Sequence, residues 1–240
     1  MFNLFKKKKI VVTHNGGFHA DDVFACAALS LLENGRVKFI RTRDENIINK
    51  GDYVVDVGGI FDPLKNRFDH HQKGGAGQRE NGIQYASIGL VWKHYGEKIC
   101  NSKKIADDID KLLIQSVDGP DNGQDIFKMI IDNSFEYKIS DLISSFGPTW
   151  KGDRDMHQAF LKSVSLAENI LLNEIKRGRD SLDARKIINE TYQKSPDNRV
   201  AIIPEPVGRF EINLAGIDLP DLLFAVFLSQ EENNWKVVGM

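Results

Sequence analysis

Three short stretches of the chain concentrate histidine and aspartate. The first is His14-Asn15-Gly16-Gly17-Phe18-His19-Ala20-Asp21-Asp22, and the last is Asp118-Gly119-Pro120-Asp121-Asn122-Gly123. Between them lies Val54 to Gln72, which holds Asp56 and then Asp69-His70-His71. A carboxylate beside two imidazoles is costly to gather unless each group is solvated, paired or bound to metal. A mixed His/Asp set without thiolate suits Mn²⁺, Mg²⁺, Fe²⁺ or Zn²⁺. The candidates are His14, His19, Asp21, Asp22, Asp56, Asp69, His70, His71, Asp118 and Asp121. That number of donors suits two ions sharing one carboxylate, the arrangement that activates water and clamps a phosphate ester. Asp56 is the best bridge, because it follows a short rigid strand and glycines flank it.

Each piece alone has an ordinary explanation. His14 could cap a strand, Asp21 or Asp22 could be a helix N-terminal acid, and Asp121-Asn122-Gly123 could be a turn. His94 and His157 sit in helices without acidic companions and read as packing or surface residues. Three acid/histidine clusters, each at the end of a strand or helix, are harder to assign to chance.

The elements that must position these groups follow from periodicity. Ile10–Thr13, Val37–Ile40 and Tyr53–Val57 read as strands, and Asp21–Leu32 as a helix ended by Asn34-Gly35. Strand, helix, strand, link, strand is the pattern of a parallel sheet, whose ligands sit beyond the carboxyl ends of the strands. His14 and Asp56 lie at such ends. Lys73–Gly82 reads as a glycine-rich loop, with helices at Tyr85–Tyr95, Ile105–Val117 and Ile139–Phe146. In the second of these Ile109, Leu112 and Leu113 should face inward. Asp153 to about Lys194 reads as one long helical region with a break at Gly178, and strands follow at Val200–Ile203, Leu223–Leu228 and Trp235–Val238. The expectation is α/β: a three-layer α/β/α domain with a mainly parallel sheet, then a helical linker and a small α+β piece. The boundary falls near Lys194, giving 1–194 and 195–240; the second is too short to bury much core alone.

Composition bounds the rest. The chain has 240 residues, 41% hydrophobic and 28% charged, with a formal net charge of −2, an ordinary globular balance that neither announces nor excludes nucleic acid. Cys26 and Cys100 form no CxxC pair, so they read as core thiols in a reducing, cytoplasmic compartment. No apolar run approaches a membrane span, and Lys6–Lys9 before Ile10 reads as a solvated flank rather than a signal peptide.

Asp69-His70-His71 after the strand-end Asp56 resembles the signature of the DHH phosphoesterase superfamily. More narrowly, THNGGFHADD, VVDVGGIFDP, RFDHHQ, GQRENGIQYASIGLVW and VDGPDNG, in order through about residues 10–125, resemble the melanocyte-proliferating-gene family, an exonuclease family within it. The resemblance implies two divalent ions, usually Mn²⁺ or Mg²⁺, held by His14, His19, Asp21, Asp56, His70 and Asp118. Asp121 is the alternative to Asp118, whose helix-end position favours it, and Asp22 is an additional candidate ligand. His19 stands where the wider superfamily has aspartate. His71 would face the substrate phosphate, Asp69 would orient the histidines, and Arg79 would assist. The activity implied is 3′-to-5′ cleavage of RNA or short oligonucleotides by a metal-activated water, with Arg79, Lys73, Arg41 and Arg43 guiding the phosphate chain. The family continues past the Trp235 strand, so 195–240 reads as part of a substrate lobe. The alternatives are a small-molecule phosphatase or pyrophosphatase, or a catalytically weak metal- or nucleotide-binding module.

Overall fold

A computed structural model describes residues 7–128, 130–131, 133–152, 155–209, 211–212, 219–229 and 234–240. The Lys6 end of the basic flank and the Asp153 start expected for the long helix lie outside these residues. The chain forms two compact units, Met1–Ile175 and Lys176–Met240.

The larger unit is built on a five-stranded sheet. Its strands are β1 (Lys9–Thr13), β2 (Val37–Arg41), β3 (Tyr53–Val55), β4 (Phe61–Asp62) and β5 (Arg67–Phe68), in the order β2-β1-β3-β5-β4. The first three strands and β5 run parallel, and β4 pairs antiparallel with β5. The sheet is flanked by helices α1 (Ala20–Leu32), α2 (Glu45–Ile48) and α3 (Ser87–Cys100). Helix α1 crosses β1, β2 and β3 and packs along α3. Every residue from Ala20 to Ser30 is buried, which explains its run of small side chains, Ala25-Cys26-Ala27-Ala28. A separate small cluster joins Val12 and Val54 of the sheet to Ile48 of α2 and to Val57. Asn34 and Gly35 take left-handed backbone angles and stop α1, as their sequence suggests.

Helix α4 (Lys103–Ile109) passes through a π-helical turn, Asp110–Ile114, into α5 (Gln115–Asp121). This corrects one expectation. Leu112 is 75% exposed rather than inward, because a π turn holds more residues than an α turn and rotates the side chains that follow. Helix α6 (Ile139–Ser144) follows, then α7 (Met156–Lys194), which runs unbroken through Gly178.

The smaller unit, which begins within α7, pairs β6 (Val200–Ile203), β7 (Phe224–Leu228) and β8 (Trp235–Gly239) in that order. Ala201, Ile203, Ala225, Phe227 and Val238 form its core with Ala184 and Ile188 of α7. Among the described residues, no helix is long and apolar enough to cross a membrane.

Candidate metal centre

The sheet topology builds the centre. Strands β1, β3 and β5 are adjacent and parallel, so their carboxyl ends share one edge, about 4.8 Å apart from strand to strand. His14 follows β1, Asp56 follows β3, and Asp69-His70-His71 follows β5. Asp56 adopts φ of 55°, the left-handed region that aspartate tolerates better than most residues. Its carboxylate faces two ways: Oδ2 lies 3.3 Å from His14 Nε2, while Oδ1 lies 3.4 Å from His70 Nε2 and 3.3 Å from His71 Nδ1.

The start of α1 supplies the next donors. His19 precedes the helix, and its amide donates to Asp22 Oδ1 at 2.7 Å. That leaves Asp22 Oδ2 facing His14 Nε2 at 3.6 Å. Asp21 is fully buried and accepts from the Ser87 and Ile88 amides at the start of α3, at 3.0 and 2.6 Å. From the far side, α5 ends on Asp121, whose Oδ2 lies 3.2 Å from His70 Nε2; Asp21 Oδ2 is 3.8 Å from the same nitrogen. Among the described residues, three donor groups could each hold a cation: His14, His19 and Asp56; Asp56, His70 and His71; and Asp21, His70 and Asp121.

The donor set fits divalent cations on the structure's own terms. Among the described residues, Asp22 Oδ2, Asp56 Oδ1 and His70 Nε2 are buried without a well-formed hydrogen bond, ion-pair neighbours aside, which is costly for polar atoms unless something else satisfies them. The separations of 3.2–3.8 Å around His70 are close to those between ligands on one ion with bonds of about 2.0–2.2 Å. The other His70 nitrogen, Nδ1, sits 3.2 Å from Asn122 Oδ1. A proton on Nδ1 donated to that amide oxygen leaves the Nε2 lone pair toward the carboxylates, the usual arrangement behind a ligating histidine.

The electrostatics show a shortage of positive charge. Burial would lower the His70 pKa, but the Asp121 and Asp56 carboxylates outweigh it and push it up to about 11. Burial pushes Asp22 up to about 7 against the pull of His14. Burial, reinforced by Asp56 and Asp121, holds Asp21 well above the ordinary range. Burial would also raise Asp56, but His14 and His70 prevail and hold it below the usual carboxylate range. These upward shifts fall at the groups where a bound cation would supply the missing positive charge.

The remaining expected residues divide. Asp69 accepts from the Gly59 amide at 2.6 Å and from both the amide and Nδ1 of His71, at 3.0 and 2.8 Å. It fixes His71, whose side chain is 63% exposed. A cavity of about 300 Å³ opens over His14, His19, Asp56 and His71, with Arg43 on its wall. Lys73 is exposed in its glycine-rich loop. Arg41 is held otherwise: it donates to the carbonyls of Gly16 (2.7 Å) and Met156 (3.2 Å) and lies 4.8 Å over the Phe160 ring. It anchors the loop between His14 and His19.

Asp118 and Arg79 are placed differently from expectation. Arg79 is buried, donates to Asp110 through Nε (2.9 Å) and Nη2 (2.6 Å), and lies 2.7 Å from Asp118 Oδ2. Asp118 accepts from the Gly89 amide at 3.0 Å and belongs to none of the three donor groups; Asp121 does. At 3.6 residues per turn, positions three apart on α5 are offset around its axis: Asp118 meets Gly89 of α3 and Asp121 meets His70. Sequence reasoning missed Asn122, Asp110 and Gly89. Asn122 and Gly89 stand within quoted motifs but read locally as a turn residue and a helix glycine, and nothing local marks Asp110.

A family model described as MYG1_exonuc, uncharacterised protein family (UPF0160), matches residues 10–240. A MYG1 protein of Dictyostelium discoideum is 32% identical over 201 residues, covering 76% of this chain and 61% of that protein. The human MYG1 exonuclease is 26% identical over 258 residues, covering 94% and 68%. A MYG1 protein of Caenorhabditis elegans is 30% identical over 260 residues, covering 95% and 76%. The chain spans about two thirds of the length of the first two. No solved structure matches.

Proposed function

The chain belongs to the UPF0160 family, and from that membership we propose that it is a metal-dependent phosphodiesterase removing nucleotides from the 3′ end of RNA. The observation that carries the proposal is Asp56, whose two carboxylate oxygens serve two different histidine sets at the meeting point of three parallel strand ends. That is the disposition of a bridging ligand between two ions. The name exonuclease borne by the human relative supports the reaction class.

His14, His19, Asp22 and Asp56 would hold one ion, and Asp21, Asp56, His70 and Asp121 the other, with Mn²⁺ favoured over Mg²⁺ by the imidazole share. Bound divalent ions would supply the charge that acidifies a water and neutralises the phosphoryl oxygens. His71, held through Nδ1 by Asp69 and Asp56, stands at the cavity to stabilise charge or give a proton to the leaving oxygen. Arg43 and Lys73 would meet the phosphate chain. Arg79 and Asp118 would act from behind, by fixing the start of α3 against α5. The buried thiols Cys26 and Cys100 suit a reducing, cytoplasmic compartment.

A second reading, hydrolysis of a small phosphate compound, draws support from the 300 Å³ cavity, at the small end of ligand clefts. Labelled single-stranded RNA, p-nitrophenyl phosphate and pyrophosphate, each incubated with Mn²⁺, Mg²⁺ or EDTA, separate the two. Stepwise shortening of the RNA from its 3′ end with Mn²⁺, lost in EDTA and in His70→Ala, is the expected result. Turnover of the small compounds alone would favour the second reading, and cleavage unaffected by His70→Ala would sink the site assignment.

A further inference from the structure

Between α5 and α7 the chain exposes aromatic rings that a folded surface normally hides. Phe127, Phe135, Tyr137 and Trp150 are all exposed, Phe135 at 91% and Trp150 at 78%. Three of the four precede a lysine: Phe127-Lys128, Tyr137-Lys138 and Trp150-Lys151. The Lys151 ammonium lies 4.8 Å over the Trp150 ring, so at one pair ring and cation already share a face. Phe127, Lys128, Phe135 and Lys138 line a cavity of about 930 Å³, roughly three times the volume over the metal centre.

This surface starts close to the chemistry. Asp125, the first residue of the larger cavity, is four residues beyond Asp121, so the two are separated by at most about 14 Å of extended chain. The connection is pinned. The Gln124 amide donates to Gly119 O at 2.8 Å, and Gln124 Oε1 accepts from the Gln84 amide at 2.8 Å.

We propose that these aromatic–lysine pairs form a stacking platform for single-stranded RNA, holding the nucleotides behind the one whose linkage is cut. The inference rests on the RNA reading of the metal centre and adds a binding surface to it. A single strand offers a π-face on every base and a charge on every phosphate, and a ring followed by a cation answers both. Asp125 and Glu136 also line the cavity, so net charge is not the main attraction; stacking carries more of the binding, with the lysines meeting phosphates locally. The exposed Ile130 and Ile131 in the same stretch make a protein partner the competing outcome.

The test is fluorescence anisotropy with a labelled single-stranded phosphorothioate RNA that resists cleavage, titrated with the full chain in Mn²⁺. Phe127→Ala, Tyr137→Ala and Trp150→Ala should each weaken binding about tenfold, within the stacking range for one base. Lys128→Gln and Lys151→Gln should each reduce the slope of log K against log salt by about 0.7. All five should leave hydrolysis of bis(p-nitrophenyl) phosphate and the circular dichroism spectrum unchanged. Unaltered RNA affinity in the three aromatic variants overturns the platform, as does a change in their sedimentation alone, which would mark a protein interface. Aromatic-dependent RNA binding without phosphodiester hydrolysis by the wild type would instead overturn the enzymatic reading and leave the platform standing.

Discussion

His70 shows how much of the centre depends on one orientation. Its Nε2 faces three carboxylates because Nδ1 is held by Asn122. Asn122 also donates through Nδ2 to the Asp118 carbonyl at 2.9 Å, so its own amide is fixed by α5. Asn122→Ala should therefore lower divalent-ion affinity about 10–100-fold, the usual cost of losing the partner behind a ligating histidine. Isothermal titration with Mn²⁺ measures it, and an unchanged affinity would remove Asn122 from the centre. The same imidazole sets a pH dependence. In the metal-free protein neighbouring carboxylates push His70 up to about 11, so at neutral pH it carries a proton that an ion must displace. Binding then releases a proton, and apparent affinity rises with pH, up to about tenfold per unit for each proton displaced. Calorimetry in buffers of different ionisation enthalpy reads that proton directly; affinity that falls between pH 6 and 8 would contradict His70 as a ligand.

Elements explain what the sequence could and could not announce. Strands β1, β2 and β3 and helix α1 each carry enough β-branched or periodic apolar residues to declare themselves, so the positions of His14 and Asp56 at strand ends were legible. Strand β5 is only Arg67–Phe68, too short for any alternation, and it exists because β3 beside it offers a parallel partner. The convergence of three strand ends was therefore half visible. The π turn before α5 was not visible at all, since Asp110–Ile114 looks locally like ordinary helix. The directions in which Asp118 and Asp121 point depended on that hidden phase. Helix α3 adds a further constraint that only packing reveals. A Cβ on Gly89 would lie 1.9 Å from Asp118 Oδ2, so the close approach of α3 and α5 requires glycine there. Gly89→Ala should destabilise the protein by about 1–3 kcal/mol, as overpacking does, and should weaken ion binding by disturbing the α3 amides that hold Asp21. Urea unfolding gives the first quantity; a variant as stable as the parent would mean that Asp118 can move aside freely.

At the scale of the whole molecule, every proposed ligand falls in the unit Met1–Ile175 and none in Lys176–Met240. The larger unit gathers Asp21, Asp22, Asp56, Asp69 and Asp118 in its interior, a set that opposes folding until cations or protons offset it. The smaller unit has an apolar core of its own around Ile188, Ile203 and Phe227, and the larger unit has a separate cluster of Val12, Ile48, Val54 and Val57. An ion that binds only the folded larger unit stabilises that unit by mass action, about 2.7 kcal/mol at a hundredfold excess over its Kd. For a unit of this size that amounts to about 5–10 °C in melting temperature. Differential scanning calorimetry of the full chain should therefore resolve two transitions. EDTA should lower the one assigned to the larger unit by that amount, and Mn²⁺ should restore it, while the other stays in place. His70→Ala should abolish the metal-dependent shift without moving the second transition. If EDTA moved the smaller unit's transition equally, the ligand set would extend beyond the strand-end residues, and the division of labour between the two units would fail.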